Sequence, residues 1–353
     1  MNNTEIDAII NSMENIESKN NVIYFLVYDT KNNPRAGIKY IYDCALTLKN
    51  NGYNVKLITE DKTYTGIAEW LDEKYLNMEI LSLKDDEIKI NIEDVLVIPE
   101  YYSNILPKLA NIKSVKIMLI QQTEYMFETL PIGSRWSDFG FDKCITTTES
   151  SKNYIKQYFP EALIHVVPPF IGEEYKKSEM PIKPMIAISC RDRYIDRKII
   201  SQFYLKFPQL RWIAFRDMNG MSYSEFAEAL SECMVSVWVD DVSTFGTFPI
   251  ESMKCGVPVI GKIPNTKPDW LNEENGIWSY DSNEIVDALG AYVLSWIEGS
   301  EIAENFNENM NITQTPFNSD IFNTNVDSVF NSIMSSRVET FKKIINKLKE
   351  EEK

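Results

Sequence analysis

The stretch STFGTFPIESMKCGVPVIG, Ser243 to Gly261, decides how this chain folds. A glycine, a Pro-Ile-Glu and a Cys-Gly-Val-Pro-Val stand in one short run, more punctuation than a plain core element needs. It reads as a loop, a short helix and a strand gathered around an anionic ligand. The preceding MVSVWVD (Met234–Asp240) is a strand that leads into the loop. Proline is tolerated in a first helical turn, so a helix start is expected near Pro249, with Thr247 as candidate N-cap. Gly256 suits the helix end, and Pro258 opens the next strand, where a missing donor costs little. Main-chain N–H groups around Gly246 and Thr247 would then point at whatever sits beside the helix start, an arrangement that suits a phosphate. Glu251 falls in the first turn. A carboxylate repels phosphate, so it either accepts hydrogen bonds from sugar or ribose hydroxyls or complements the helix dipole.

Outward from that run, the chain reads as two series of alternating strands and helices. VIYFLVYD (Val22–Asp29) is a short buried strand, followed by a loop with Asn-Asn-Pro-Arg-Ala-Gly. IKYIYDCALTLKNNG places Ile38, Ile41, Tyr42, Ala45 and Leu48 on one helical face and stops at Asn51-Gly52. YNVKLIT, DVLVIPE, VKIMLIQQ, KCITTT and LIHVVPP are further strands, with helices such as ESSKNYIKQYF between them. This is the pattern of an open parallel sheet. PFIGEEYKKSEMPIKP is a linker of prolines and charges. The second series runs MIAISC, helix RKIISQFYLKF, strand LRWIAF, helix SYSEFAEAL, strand MVSVWVD, then the opening run. The tail VDSVFNSIMSSRVETFKKIINKLKEEEK has helical periodicity, and a surface helix packing by one face is expected. The fold class is therefore α/β, with two Rossmann-like domains over 1–170 and 171–325 and a C-terminal helix over 326–353. Such sheets leave a cleft between the carboxyl ends of their strands, where ligands bind.

Composition narrows the partners. The chain has 353 residues, 44% of them hydrophobic, enough for two cores. A net charge of −16 argues against broad nonspecific binding to nucleic acid or anionic membrane. The five cysteines are scattered, with no C-x-x-C, and read as reduced core thiols. The acidic start and the lack of a long apolar run give the expectation of a cytoplasmic protein with no integral membrane segment. The single histidine, His165, lies in a strand-like run, so histidine triads and histidine-rich metal sites have little support. The adjacent acids Asp240-Asp241 and Asp85-Asp86 read as solvated turn residues rather than a metal motif.

FGTFPIESMKCGVPVIG resembles the donor-binding motif of the "glycosyl transferases group 1" family, retaining, nucleotide-sugar-dependent enzymes of GT-B architecture. The family motif has two glutamates eight positions apart; Glu251 matches the second, and the first falls at Ser243. The resemblance implies that Glu251 contacts the ribose, that Gly246 and Thr247 match the phosphate loop with Phe245 beside them, and that sugar-side recognition departs from the pattern at Ser243. RAGIKYIYDCALTLKNNGYNVKLIT is similar to the family's N-terminal segment, with Gly37 letting the backbone approach the diphosphate or acceptor. SCRDRYIDRK resembles a strand-end arginine with a lysine five residues on, kept by Arg193 and Lys198, with Arg191 a rival for the arginine. NEENGIWS resembles the turn after the donor motif. LIQQTEYMFETLPIGSRWSDFGFDKCITTTESSKNYI resembles a segment of rhamnan-type rhamnosyltransferases.

The implied reaction moves a sugar from a nucleoside diphosphate sugar, the donor substrate, to an acceptor hydroxyl, with no cofactor and no metal. Arg193, Lys198 and the amides near Gly246 would stabilise the leaving diphosphate. Retention through a front-face route lets the diphosphate take the acceptor proton; an inverting enzyme would need a carboxylate base, for which Glu124 is the candidate. The acceptor is expected to be a glycan or glycolipid. A modified nucleic acid, such as a hydroxylated DNA base, is the alternative, with Arg135, Lys143, Lys152 and Lys156 as the place for a basic strip. A nucleotide-binding scaffold without turnover is the third reading. A nicotinamide dehydrogenase is disfavoured because NNPRAGIKY lacks G-x-G-x-x-G.

Overall fold

The computed structural model describes residues 21–61, 70–299 and 304–351. Seven strands form the first sheet: β1 (Val22–Leu26), β2 (Asn54–Thr59), β3 (Glu79–Ser82), β4 (Val95–Pro99), β5 (Val115–Ile120), β6 (Lys143–Thr146) and β7 (Leu163–Val166). Five form the second: β8 (Lys183–Cys190), β9 (Ala214–Asp217), β10 (Cys233–Val239), β11 (Val259–Lys262) and β12 (Ile277–Ser279). The orders are β3-β2-β1-β4-β5-β6-β7 and β12-β11-β10-β8-β9. Every strand pair is parallel. The winding direction reverses between β1 and β4 in one sheet and between β8 and β10 in the other, the places where open α/β sheets receive ligands.

The central strands are continuous apolar runs because helices cover both faces. Every residue of β4 and β10 is buried. The helices of two turns or more are α1 (Ala36–Asn50), α2 (Glu149–Tyr158), α3 (Arg193–Lys206), α4 (Tyr223–Ser231), α5 (Thr247–Lys254), α6 (Ser282–Ile297), α7 (Glu304–Gln314) and α8 (Ser319–Glu351). The Asn51-Gly52 stop of α1 works as its sequence indicates. Gly52 takes φ +86°, its N–H reaches the Lys49 carbonyl at 2.9 Å and the Tyr53 N–H reaches Leu48 at 3.0 Å.

The sequence reading does not include β12, α6 or α7, and three further differences have a clear local cause. The edge strand β3 was not foreseen, since EILS is short and mostly exposed. The strand expected at LRWIAF lies later, at Ala214–Asp217, because Pro208–Leu210 form a 3-10 turn that buries Leu210 and Ile213 while Trp212 stays exposed. The tail helix begins at Ser319 rather than Val326, with Asn318 Oδ1 accepting from the Ile321 N–H at 3.0 Å.

Helix α8 crosses back to the first sheet. Phe322, Val326, Phe330 and Ile333 are buried in the same cluster as Phe25 and Ile41. The two chain segments that pass between the sheets are tied where the Ile171 N–H donates to the Phe317 carbonyl at 2.9 Å. The second sheet also reaches the first through Asp269, whose carboxylate accepts from the Glu149 and Ser150 N–H groups at the start of α2, at 2.6 and 3.0 Å. Thr123 and Thr266 share a hydroxyl contact at 2.9 Å. All five cysteines are buried and free. Among the described residues no helix is long and apolar enough to cross a membrane.

Candidate active site

A cavity of about 370 Å³ lies between the carboxyl ends of the two sheets. Its first wall comes from Tyr28 after β1, Glu100 after β4, Gln121 and Gln122 after β5, and Arg35 to Gly37 at the start of α1. Arg191 after β8, Asp240 after β10, Ser243, and Phe245 to Thr247 around the start of α5 supply much of the opposite wall. A second cavity of about 190 Å³ shares Arg35, Ser189 and Thr247 with the first and ends against Glu251, Tyr175 and the Met218–Met221 turn.

The start of α5 is set by Gly246. It holds φ +71°, and a Cβ there would lie 2.7 Å from the Trp238 ring. Gly246 is therefore the N-cap, and Thr247, expected as the cap, is the first helical residue. The indole N–H of Trp270 fixes the loop by donating to the Phe245 carbonyl at 2.7 Å. At the other end Gly256, also left-handed, donates to Met253 at 3.0 Å and Val257 to Ser252 at 2.8 Å, closing the helix as its glycine predicts.

Neither α1 nor α5 has a side-chain cap. The other long helices with a described start do: Thr148 caps α2, Asp192 α3, Ser222 α4, Asp281 α6 and Asn318 α8. The two uncapped starts, one from each sheet, line the same cavity. Their first-turn N–H groups and positive dipole ends favour an anion in that space, despite the chain's overall negative charge.

Arg35 and Arg191 line the cavity. Arg191 reaches Asp240 Oδ2 through Nε at 3.3 Å and Nη2 at 3.2 Å, and donates from Nη1 to the Tyr125 hydroxyl at 3.4 Å. Arg193 and Lys198 line neither cavity; both are exposed on α3. β8 ends at Cys190, so Arg191 occupies the strand end that faces the cleft, while Arg193 already begins the helix.

Two buried carboxylates meet these cavities. Glu251 is 6% exposed; burial pushes its pKa up to about 8, against a hydrogen bond from Tyr175 and the Lys39 ammonium, which favour the charged form. Glu100 is 2% exposed and accepts from the N–H groups of Gln121 at 3.2 Å and Gln122 at 3.0 Å. Burial raises its pKa to about 7 while those amides act the other way.

No family model and no curated protein sequence matches the chain. Solved structures do match it in shape. Sucrose-phosphate synthase from Thermosynechococcus elongatus aligns with TM-score 0.61 at 11% identity, over 90% of this chain and 100% of that one. HepE from Anabaena, in complex with UDP and glucose, aligns with TM-score 0.64 at 12% identity, over 88% and 99%. The pneumococcal O-GlcNAc transferase GtfA, with UDP and GlcNAc, gives 0.59 at 9% identity, over 92% and 99%. The chain has the GT-B fold.

Within the GT-B cleft, Ser243, Phe245, Gly246, Thr247, Arg191 and Gly37 share one cavity, and Glu251 closes the adjoining one. Gly37 does admit a close approach, but by Gln121: a Cβ would stand 2.9 Å from Gln121 Oε1, whose Nε2 donates to the Gly37 carbonyl at 3.1 Å. Glu124 lines neither cavity; its neighbour Tyr125 does. Arg135, Lys143 and Lys152 are paired with Glu161, Asp142 and Glu149, and Lys156 donates to the Pro160 and Ala162 carbonyls, so they form no strip along the GT-B cleft. Asp240 and Asp241, expected as solvated acids, pair with Arg191 and Lys262. Sequence reasoning missed Arg35, Gln121 and Glu100 as cleft residues. The available signal for Glu100 was an acid directly after the buried run VLVIP, at a strand's carboxyl end.

Proposed function

We propose that this chain transfers a sugar from a nucleoside diphosphate sugar to an acceptor hydroxyl. The observation that carries the reading is the pair of uncapped helix starts, α1 and α5, that line one cavity together with Arg35 and Arg191. A diphosphate supplies the acceptor oxygens and the negative charge that those donors need. Its charge grows as the bond to the sugar breaks, and donors fixed in advance stabilise that growth without reorganising. Glu251, the fifth residue of α5 and so in its second turn rather than the first, lines the adjoining cavity, where a carboxylate can accept hydrogen bonds from ribose hydroxyls. The UDP named with the HepE and GtfA structures supports a nucleotide donor.

In this reading the second sheet's domain is the donor side, the first sheet's domain the acceptor side, and α8 braces the latter through Phe322, Val326, Phe330 and Ile333. The acceptor is a glycan or glycolipid hydroxyl, and the resemblance of the Leu119–Ile155 segment to rhamnan-type enzymes puts a deoxyhexose among the donors to be tried. The course is retention, with the leaving diphosphate taking the acceptor proton, so neither a protein base nor a metal is called for.

The test is a thermal-shift panel with UDP, GDP, dTDP and their sugars, since a ligand that binds only the native state raises the melting point. A shift with one nucleotide series, reduced in Arg191→Ala, is expected. No shift with any of them refutes the reading. NMR of the product's anomeric configuration tests the course.

A further inference from the structure

A sugar held in this cleft presents several hydroxyl groups, and their protons need acceptors. On the second sheet the wall beside α5 offers the Ser243 hydroxyl. Two carboxylates line the larger cavity, Asp240 and Glu100. Asp240 is already occupied: Oδ2 receives the Arg191 guanidinium and Oδ1 the Val242 N–H at 3.1 Å. The Glu100 carboxylate receives the N–H groups of Gln121 and Gln122 and interacts with its own main-chain N–H, and among the described residues no lysine or arginine pairs with it. A carboxylate has about four lone-pair directions, so about one stays available. Keeping such a group buried without a cation costs stability, and burial already lifts its pKa to about 7. That cost is understandable where a ligand uses the carboxylate.

The hydrogen bonding also places it. Gln121 and Gln122, which hold Glu100, are the residues the donor-side loop grips. Thr244 Oγ1 donates to the Gln121 carbonyl, and the Thr244 N–H donates to Gln122 Oε1 at 3.2 Å. Ser243 is the neighbour of Thr244, so Glu100 and Ser243, which both line the cavity, are linked by a short chain of bonds.

We propose that Glu100 recognises the transferred sugar, accepting a hydrogen bond from one of its hydroxyl groups across the cleft from Ser243. The first sheet thereby supplies a sugar-binding carboxylate that the second sheet lacks beside Ser243. The proposal rests on the nucleotide-sugar reading above.

Calorimetric titration of wild type, Glu100→Gln and Glu100→Asp tests it, with UDP against UDP-glucose, GDP against GDP-mannose and dTDP against dTDP-rhamnose as probes. In the series that the wild type binds, Glu100→Gln should keep nucleoside diphosphate affinity within about twofold and lose about tenfold or more for the nucleotide sugar, since charge-assisted bonds are the strong ones. Glu100→Asp should fall between, and it stands in if the glutamine variant fails to fold. Equal losses for both ligands would mean that Glu100 only braces the loop after β5, and would overturn the proposal. So would unchanged affinity for both, or a wild type that binds a nucleoside diphosphate but none of the sugars. A wild type that binds no nucleotide refutes the underlying reading instead.

Discussion

Replacing Glu251 by glutamine should make the empty protein more stable at alkaline pH while weakening nucleotide binding. Burial moves the Glu251 pKa from its ordinary 4.5 to about 8. The folded carboxyl therefore keeps its proton to a higher pH than the unfolded chain does. The unfolded state binds fewer protons through that window, so the contribution of Glu251 to stability is intact below about pH 4.5 and is lost as pH rises to about 8. At about 1.4 kcal/mol per pKa unit, the full loss is on the order of 4–5 kcal/mol, an upper figure because the charged form also gains from relaxation. A glutamine of the same shape keeps an oxygen for the Tyr175 hydroxyl and carries no charge to desolvate.

Urea unfolding at about pH 5, 7 and 9 measures this directly. Wild type and variant should agree to within about 1 kcal/mol at the acid end and separate by about 2–4 kcal/mol more at the alkaline end, with the variant the more stable. Other groups that titrate in the window, Glu100 among them, are present in both proteins and drop out of the difference. Nucleoside diphosphate affinity should move the opposite way, falling about tenfold in the variant, because ribose hydroxyls bond more strongly to a carboxylate than to an amide. In the wild type that affinity should rise with pH over the same window. A variant no more stable than wild type at about pH 9, or one that binds nucleotide as tightly, refutes the reasoning.

Gly246→Ala forces a side chain into a left-handed backbone, at about 1–2 kcal/mol, and puts its Cβ 2.7 Å from the Trp238 ring; thermal unfolding should show a lower melting point and no further rise with UDP, GDP or dTDP. Arg191→Ala should weaken binding of the active nucleotide by about tenfold or more in calorimetric titration, and Arg193→Ala, exposed on α3, by less than about twofold. Phe330→Ala should cost about 3–5 kcal/mol in denaturant unfolding, because the ring is 1% exposed and lies 6.1 Å from that of Phe25 across the contact between α8 and the first sheet.

The parts of the fold that were legible are those written locally. VLVIP and CMVSVWV are runs whose every residue is buried, and Asn51-Gly52 and Cys255-Gly256 end helices through glycines at φ +86° and +71°. What was not legible depends on partners distant in sequence. The cap of α5 moved by one residue because the Trp238 ring packs where a Cβ on Gly246 would stand. The family spacing could not tell which arginine faces the cleft, since that turns on β8 ending at Cys190. Glu100 stood inside a quoted strand, and only the amides of Gln121 and Gln122, some twenty residues on, mark it as a held carboxylate. The short strand β3 carries no pattern of its own and exists through pairing with β2.

Gln121 joins these distant pieces, and that gives Gly37 a role its own sequence context does not reveal. The Gln121 N–H holds Glu100, its carbonyl takes the Thr244 hydroxyl, and its side chain donates to the Gly37 carbonyl in the first turn of α1. One residue thus aligns the first-sheet carboxylate, the donor-side loop and one of the two uncapped helix starts. Gly37→Ala would set a Cβ 2.9 Å from Gln121 Oε1, a contact that the flexible amide relieves by moving away. Little stability should be lost, and helix propensity returns up to about 1 kcal/mol. The displaced amide, however, no longer sets the start of α1 against the cavity. The expected result is a melting point at or above that of wild type together with a several-fold weaker nucleotide affinity. Unchanged affinity would show that the two helix starts do not need Gln121 to act on one ligand.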